Sequence, residues 1–198
     1  WIRNLIDVGV VNKVPIDNDY DIRVFDSPEE LQKAIIKKDD DQKLGISRLT
    51  ATYDWEYSSM SKPKDSEYWC VRIGDWSCPW NRQLAKGKNS KHLSWIEQPQ
   101  TIHEVGSTFT VQGFDLNYVG VIIGPSVKYR DGKIVFDISE SKNKSAVQNR
   151  KLDSGELVNY GENLLRNELN VLLTRGVNGL YIYAVDEELQ QALKKAMK

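Results

Sequence analysis

Asn117-Tyr118-Val119-Gly120-Val121-Ile122-Ile123-Gly124 is a nearly continuous apolar run. A strand with one wet face would alternate in polarity. An unbroken run of this length reads instead as a strand buried on both faces, and such strands belong to parallel sheets sandwiched between helices. The rest of the chain supplies partners for it. Asp21-Ile22-Arg23-Val24-Phe25 alternates as a strand, Leu44 to Ala51 is a second, and Gly179 to Val185 is a last one. Helices fall between them. Ser27-Pro28-Glu29-Glu30 opens one: Ser27 can cap, Pro28 suits the first helical position, and Glu30 completes a capping box. Leu31, Ala34, Ile35 and Ile36 give that helix its apolar face. Leu157 to Thr174 has helical spacing, and Asp186 to Lys198 is an amphipathic terminal helix. Strands alternating with helices predict an α/β fold with a mainly parallel sheet flanked by helices.

The connecting segments are less regular. Trp1 to Val11 reads as the end of a helix, Lys37 to Lys43 as a charged loop, and Ser139 to Ser154 as a polar, mobile stretch. Val127 to Tyr129 and Lys133 to Phe136, joined through Asp131-Gly132, predict a hairpin. Residues 52–100 differ in texture and read as an insertion, with one strand at Glu67 to Ile73. They carry Trp55, Trp69, Trp76, Trp80 and Trp95 among many small polar residues. Tryptophans can stack bases at ~1–3 kcal/mol per base, but more often they fill cores.

Composition narrows the function classes. A chain of 198 residues suits one domain with an insertion, and its start on Trp1 points to a piece of a larger protein. The formal net charge of −1 gives no global attraction to nucleic acid, so any such contact must be a local basic strip. Two cysteines, Cys70 and Cys78, are too few for a secreted disulfide framework and read as reduced thiols of a cytoplasmic protein. No apolar run approaches the ~20 residues that span a bilayer, so no membrane partner is expected. His92 and His103 are isolated, and no spacing of His, Cys and acidic residues resembles a metal site.

Two segments carry candidate chemistry. In Gln112-Gly113-Phe114-Asp115, Gly113 lets a phosphate approach the backbone closely, and Asp115 could accept from a ribose hydroxyl. Just upstream, Ser107, Thr108 and Thr110 are compact hydroxyl donors suited to phosphate oxygens. About sixty residues on, Thr174-Arg175-Gly176 follows a helix and precedes a strand. Arginine is always charged, and its fork matches phosphate geometry. Arg48, read at the end of an apolar strand, is a third candidate. Taken singly, a polar turn, a helix-end arginine stopped by Gly176, and an ion-paired surface arginine explain these residues as well. There is no G-x-x-x-x-G-K-[ST] loop in the chain, so on its own it should not hydrolyse ATP.

The ordered set is more specific than its parts. Val105-Gly106 through Gln112-Gly113-Phe114-Asp115-Leu116-Asn117-Tyr118 to Gly124-Pro125, then Lys128-Tyr129-Arg130-Asp131-Gly132-Lys133, then Arg166-Asn167 through Leu172-Leu173-Thr174-Arg175-Gly176 to Tyr183 resemble a bacterial family of superfamily 1 DNA/RNA helicases. That family is also described as Schlafen group 3-like. Trp55, Trp69, Trp80-Asn81 and Trp95 share the resemblance, which runs over most of the chain. There are departures. Asp115 stands where glutamate is usual, Phe109 where histidine is common, and Leu169 where tyrosine is common. Thr101-Ile102-His103 imitates the motif start but lies too far from Gln112-Gly113, so the motif starts at Ser107.

The resemblance implies a RecA-like P-loop NTPase-type fold, here the second, C-terminal domain of a two-domain motor. The phosphate-binding lysine loop and the magnesium-holding acids would then lie upstream of Trp1. ATP and magnesium would bind the full-length protein and not this piece alone. Carried over by position, Gly113 and Asp115 face ATP, Ser107, Thr108, Thr110 and Gln112 contact a strand or couple it to ATP, and Arg175 is the arginine finger. Arg48 matches an arginine after the preceding strand. The implied partners are the upstream RecA-like domain of the same polypeptide and single-stranded DNA or RNA. A module that kept the fold and only binds nucleic acid or protein, and a motor that remodels complexes without unwinding, are the alternatives.

Overall fold

The computed structural model describes residues 1–40, 45–84 and 92–198. Besides a π-helical turn at Asn4–Val8 and a 3-10 helix at Pro99–His103, its elements in chain order are β1 (Asp21–Val24), α1 (Pro28–Asp39), β2 (Arg48–Ala51), β3 (Cys70–Ile73), β4 (Trp76–Pro79), β5 (Val105–Gly106), α2 (Thr108–Val111), β6 (Leu116–Ile123), β7 (Val127–Arg130), β8 (Lys133–Phe136), α3 (Lys144–Val147), β9 (Arg150–Lys151), β10 (Leu157–Val158), α4 (Gly161–Leu173), β11 (Gly176–Ala184) and α5 (Glu187–Ala196). Five of the strands form one parallel sheet in the order β1-β11-β6-β2-β5. With helices on its faces, the domain is α/β and consistent with a RecA-like fold.

The apolar run around Val119 occupies the middle of that sheet, and its residues part cleanly between two cores. Val119, Val121 and Ile123 of β6, with Leu180, Ile182 and Ala184 of β11, face α4 and α5. Ile122 and Tyr181 turn the other way with Leu49 and Ala51 of β2, toward Leu31 and Ile35 of α1 and toward Val71, Cys78 and Trp80. Burial on both faces is what makes the run unbroken.

Each helix forms for a visible reason. The Ser27 hydroxyl accepts from the Glu30 amide at 3.1 Å, and Pro28 begins α1. The residue before α4, Tyr160, caps nothing, and one side-chain oxygen, Asn159 Oδ1, accepts from the Gly161 amide at 2.7 Å. Four buried leucines hold the helix: Leu165, Leu169, Leu172 and Leu173. Each buried leucine stabilises by about 1.5–3 kcal/mol, against about 1 kcal/mol for a lost cap, so packing decides.

Several boundaries differ from the sequence reading. The first helix does not give way to a charged loop at Lys37 but runs on to Asp39; Asp41, Lys43 and Leu44 lie outside the described residues. Leu157 and Val158 pair with Lys151 and Arg150 as a short antiparallel ladder, so α4 starts only at Gly161. The polar stretch before it contains α3, whose first turn is capped by Asn143. β11 starts at Gly176 and bulges before resuming its register at Gly179. A Cβ on Gly176 would sit 2.1 Å from the Gly179 carbonyl oxygen, so the bulge requires glycine there.

Trp80 and Trp95 are fully buried. Trp80 also bridges Val105 in parallel, which extends the sheet edge by one residue beyond β5. Trp55, Trp69 and Trp76 pack partly buried against the α1 side of the sheet. Among the described residues no helix is long and apolar enough to cross a membrane.

Candidate functional site

The sheet has an N-terminal and a C-terminal edge because all five strands run the same way. At the N-terminal edge, Asp115 directly precedes β6 and Arg175 directly precedes β11. These strands are neighbours, and the Leu116 amide donates to the Arg175 carbonyl at 2.8 Å. The Arg175 guanidinium donates from Nε to the Val171 carbonyl at 3.0 Å. One Nη lies 3.5 Å from the Phe114 carbonyl oxygen and 3.8 Å from Asp115 Oδ1. Both latter contacts are long, so most of the fork stays available to a ligand. Gly113 has φ +84°, and a Cβ there would meet nothing within 4 Å. Conformation and not space calls for glycine at that turn, and the backbone beside it is open to an approaching group. Gln112, Gly113 and Asp115 are all exposed.

The segment from Ser107 to Asp115 joins this edge to the opposite one. Gly106 lies level with Thr50, and Thr50 with Val121. The chain leaves β5 there and must return to Leu116, five residues lower on β6. At ~3.3 Å per residue that is a span of roughly 16 Å. α2 makes the crossing. The Thr110 hydroxyl accepts from the Ser107 amide at 2.9 Å and donates to the Ser107 carbonyl at 2.8 Å. Thr110 is buried, so its hydroxyl closes the first turn and is not presented to solvent. Ser107 is also buried. Thr108 is half-buried beside it.

At the C-terminal edge, Ser107 is joined by residues from two other segments. Tyr53 follows β2, and its ring meets Phe109 edge-on at 5.6 Å and Trp80 at 5.4 Å. Asn81 and Arg82 follow Trp80. Behind Tyr53 sits a buried acidic pair. Asp54 Oδ2 accepts from the Thr52 hydroxyl at 2.9 Å and the Ser126 amide at 3.0 Å, while its Oδ1 has no partner among the described residues. Glu168 of α4 accepts from the Tyr53 amide at 2.9 Å. Burial pushes the Glu168 carboxyl up to about 8, helped by the charge of Asp54, and burial raises Asp54 as well.

Arg48 stands apart from these groups. It opens β2 instead of ending a strand, and it is buried. Its Nε donates to the Thr101 hydroxyl at 2.9 Å, one Nη to Asp39 at 2.8 Å and to the Ser47 carbonyl at 2.7 Å, and the other Nη to the Ile96 carbonyl at 2.7 Å. The whole fork is engaged inside the domain, where it ties the end of α1 to the 96–101 segment. Thr101, in the segment that imitates a motif start, serves here as its acceptor.

The structure therefore brings Gly113, Asp115 and Arg175 together at one edge and places Ser107 and Thr108 at the other. Sequence reasoning missed Tyr53, Asp54 and Glu168, and met Asn81 only inside a resemblance. The one available signal was position. Tyr53 and Asp54 follow a strand of a parallel sheet, where ligands of such folds gather.

Residues 1–186 match the family model described as Schlafen group 3, DNA/RNA helicase domain. An uncharacterized protein of Saccharomyces cerevisiae is 34% identical over 181 residues, which cover 90% of this chain and 37% of the relative. The chain thus spans little more than a third of that relative's length, and the resemblance extends to eukaryotes. No solved structure matches.

Proposed function

Because the chain belongs to the Schlafen group 3 DNA/RNA helicase-domain family, we propose that it acts as the arginine-finger half of an ATP-driven helicase or translocase. One observation carries this reading: a single short segment, Ser107 to Asp115, begins at one edge of the sheet and ends beside Arg175 at the other. A nucleotide at the N-terminal edge would meet Arg175, the Asp115 carboxylate and the open backbone at Gly113. A strand at the C-terminal edge would meet Thr108, beside the buried Ser107. The turn of α2 links the two, and Gln112 sits at its lower end. The phosphate-binding lysine loop, absent from this chain, and the acids for magnesium would come from an upstream RecA-like domain. When bound between the two domains, ATP supplies the γ-phosphate on which Arg175 neutralises developing charge. Arg48 takes no nucleotide in this scheme, since its donors are spent internally.

The experiment is steady-state ATP hydrolysis by the intact protein. Arg175→Ala lowers kcat by roughly 10³–10⁵, the range measured for arginine fingers, and Arg175→Lys rescues poorly because an ammonium cannot fork onto phosphate. Turnover near wild type in the alanine variant would return Arg175 to a helix-end charge. Strand binding without any nucleotide turnover in the wild type would favour a binding module that keeps the fold.

A further inference from the structure

Glu168 lies on α4 at 7% exposure, where a charged carboxyl costs stability. Its surroundings are specific. One oxygen accepts from the Tyr53 amide at 2.9 Å, and the side chain helps to line a cavity of about 310 Å³ between α2, α3 and α4. Thr108, Phe109 and Gln112, from α2 and its end, line the same cavity. Adhesion of α4 to the sheet does not need this group, since Leu165, Leu169, Leu172 and Leu173 already supply it. Apolar packing is non-directional, however, and a hydrogen bond to one amide is not. What Glu168 adds to the leucines is a fixed position along the helix axis.

Both ends of that connection are firm. Tyr53 is held on either side, because the Thr52 amide donates to the Ile122 carbonyl of β6 at 3.2 Å and the Lys142 amide donates to the Tyr53 carbonyl at 2.8 Å. At the far end of α4, Arg175 Nε donates to the Val171 carbonyl at 3.0 Å. Val171 lies three residues beyond Glu168, ~4.5 Å along the axis at ~1.5 Å per residue, and lines the same cavity. A shift of α4 along its axis therefore carries the guanidinium with it. We propose that Glu168 is a positioning residue for Arg175: its bond to the Tyr53 amide sets the height of α4 against the sheet, and so the place of the guanidinium at the opposite edge. The inference rests on the reading of Arg175 as an arginine finger. The cavity gives α2 room to move with a strand while α4 stays fixed.

The anchor depends on charge. Burial pushes the Glu168 carboxyl up to about 8, helped by the charge of Asp54, so near neutrality Glu168 is mostly uncharged. The groups around it do not reverse this. Glu140 adds negative charge beside Asp54, and the Tyr53 phenol, pushed up to about 12 by burial, stays neutral. Arg150 lines the cavity but is exposed, so solvent and salt screen its attraction. α2 and α3 present only uncharged side chains to the cavity. As pH rises through about 8, Glu168 becomes a second negative charge beside Asp54 in a buried site. Repulsion then drives α4 and the Tyr53 segment apart, and the finger loses its place.

The test is the pH profile of ATP hydrolysis by the intact protein, at high enzyme concentration, for wild type, Glu168→Gln and Glu168→Ala, each with and without Arg175→Ala. Thermal melting checks that every variant is folded at the assay temperature. Wild-type kcat falls as pH rises past about 8. Glu168→Gln keeps an acceptor for the Tyr53 amide and cannot ionise, so it keeps the rate seen below that pH and removes the fall. Glu168→Ala lowers kcat at every pH with little change in KM, by up to roughly 10²-fold, the loss that ~1 Å of misplacement can cause. Neither change adds to the loss in Arg175→Ala, because the two residues act as one unit. A merely structural glutamate would shift Tm, leave the Glu168→Gln profile parallel to that of wild type, and add its loss to that of Arg175→Ala; that result overturns the proposal. If Glu168→Ala does not fold, the Glu168→Gln profile decides. Wild-type turnover in Arg175→Ala alone would overturn the arginine finger and its positioning together.

Discussion

Arg175 and Asp115 meet at 3.8 Å because each immediately precedes one of two neighbouring parallel strands. The pair contributes little to stability. Asp115 is 72% exposed, the distance is long, and exposed pairs are worth about 0–1 kcal/mol. Asp115→Ala should therefore leave Tm within about 4 °C of wild type. If the carboxylate accepts from ribose, the same change raises KM for ATP more than it lowers kcat. A full kinetic comparison with deoxyadenosine triphosphate checks this, since loss of the ribose hydroxyl should mimic the variant.

Arg48 should behave in the opposite way. Its side chain is 3% exposed and it pairs with Asp39, so its removal strands a partly buried carboxylate and several carbonyls. Breaking a buried pair from one side costs about 3–5 kcal/mol, which for a chain of this size lowers Tm by roughly 10 °C. Arg48→Met is the variant, and calorimetry is the measurement. An unchanged Tm with abolished ATP hydrolysis would instead make Arg48 a nucleotide contact.

Glu168 predicts a stability profile that declines with pH. Its folded carboxyl titrates at about 8, above its unfolded value of 4.5. Between those values the unfolded chain has released a proton that the folded chain keeps. Stability is then highest below the unfolded value and falls as pH rises toward the folded one, at up to about 1.4 kcal/mol per pH unit. Asp54, raised in the same sense, steepens the fall. Glu168→Gln keeps an oxygen for the Tyr53 amide and removes the titration. The variant should gain Tm over wild type at pH 8 and lose that gain at pH 5, as read by thermal melting at both values. Parallel profiles would mean that Glu168 is charged in the folded protein.

The fold was legible because β6 announces itself: only a central strand carries apolar side chains on both faces. The α1 cap and the β7–β8 hairpin were legible for similar local reasons. The start of α4 was not, since Leu157 fits both a helix and the ladder with Lys151. The site was legible in part. Gly113, Asp115 and Arg175 could be read from residue chemistry, but their meeting depends on strand order, which no local pattern states. Thr110 reads as a strand contact from the resemblance, yet its spacing of three from Ser107 already matches a turn-closing hydroxyl. Asn81, Tyr53 and Ser107 come from three separate segments and share no motif. Glu168 was hidden because a glutamate among leucines looks like the solvated side of a helix, and only the packing of α4 buries it.

In the proposed motor, α2 ties a strand at one edge of the sheet to a nucleotide at the other. The most direct measurement is the ATPase rate of the intact protein with and without single-stranded nucleic acid, at low and moderate salt, for wild type and Gln112→Ala. Gln112 ends α2 and is exposed, so its loss should leave the fold and a strand contact at Thr108 in place. Stimulation in the wild type should weaken as salt rises, because phosphate contacts release counterions. Gln112→Ala should lower the stimulated rate far more than the unstimulated one. A variant that keeps the full stimulation ratio would contradict it.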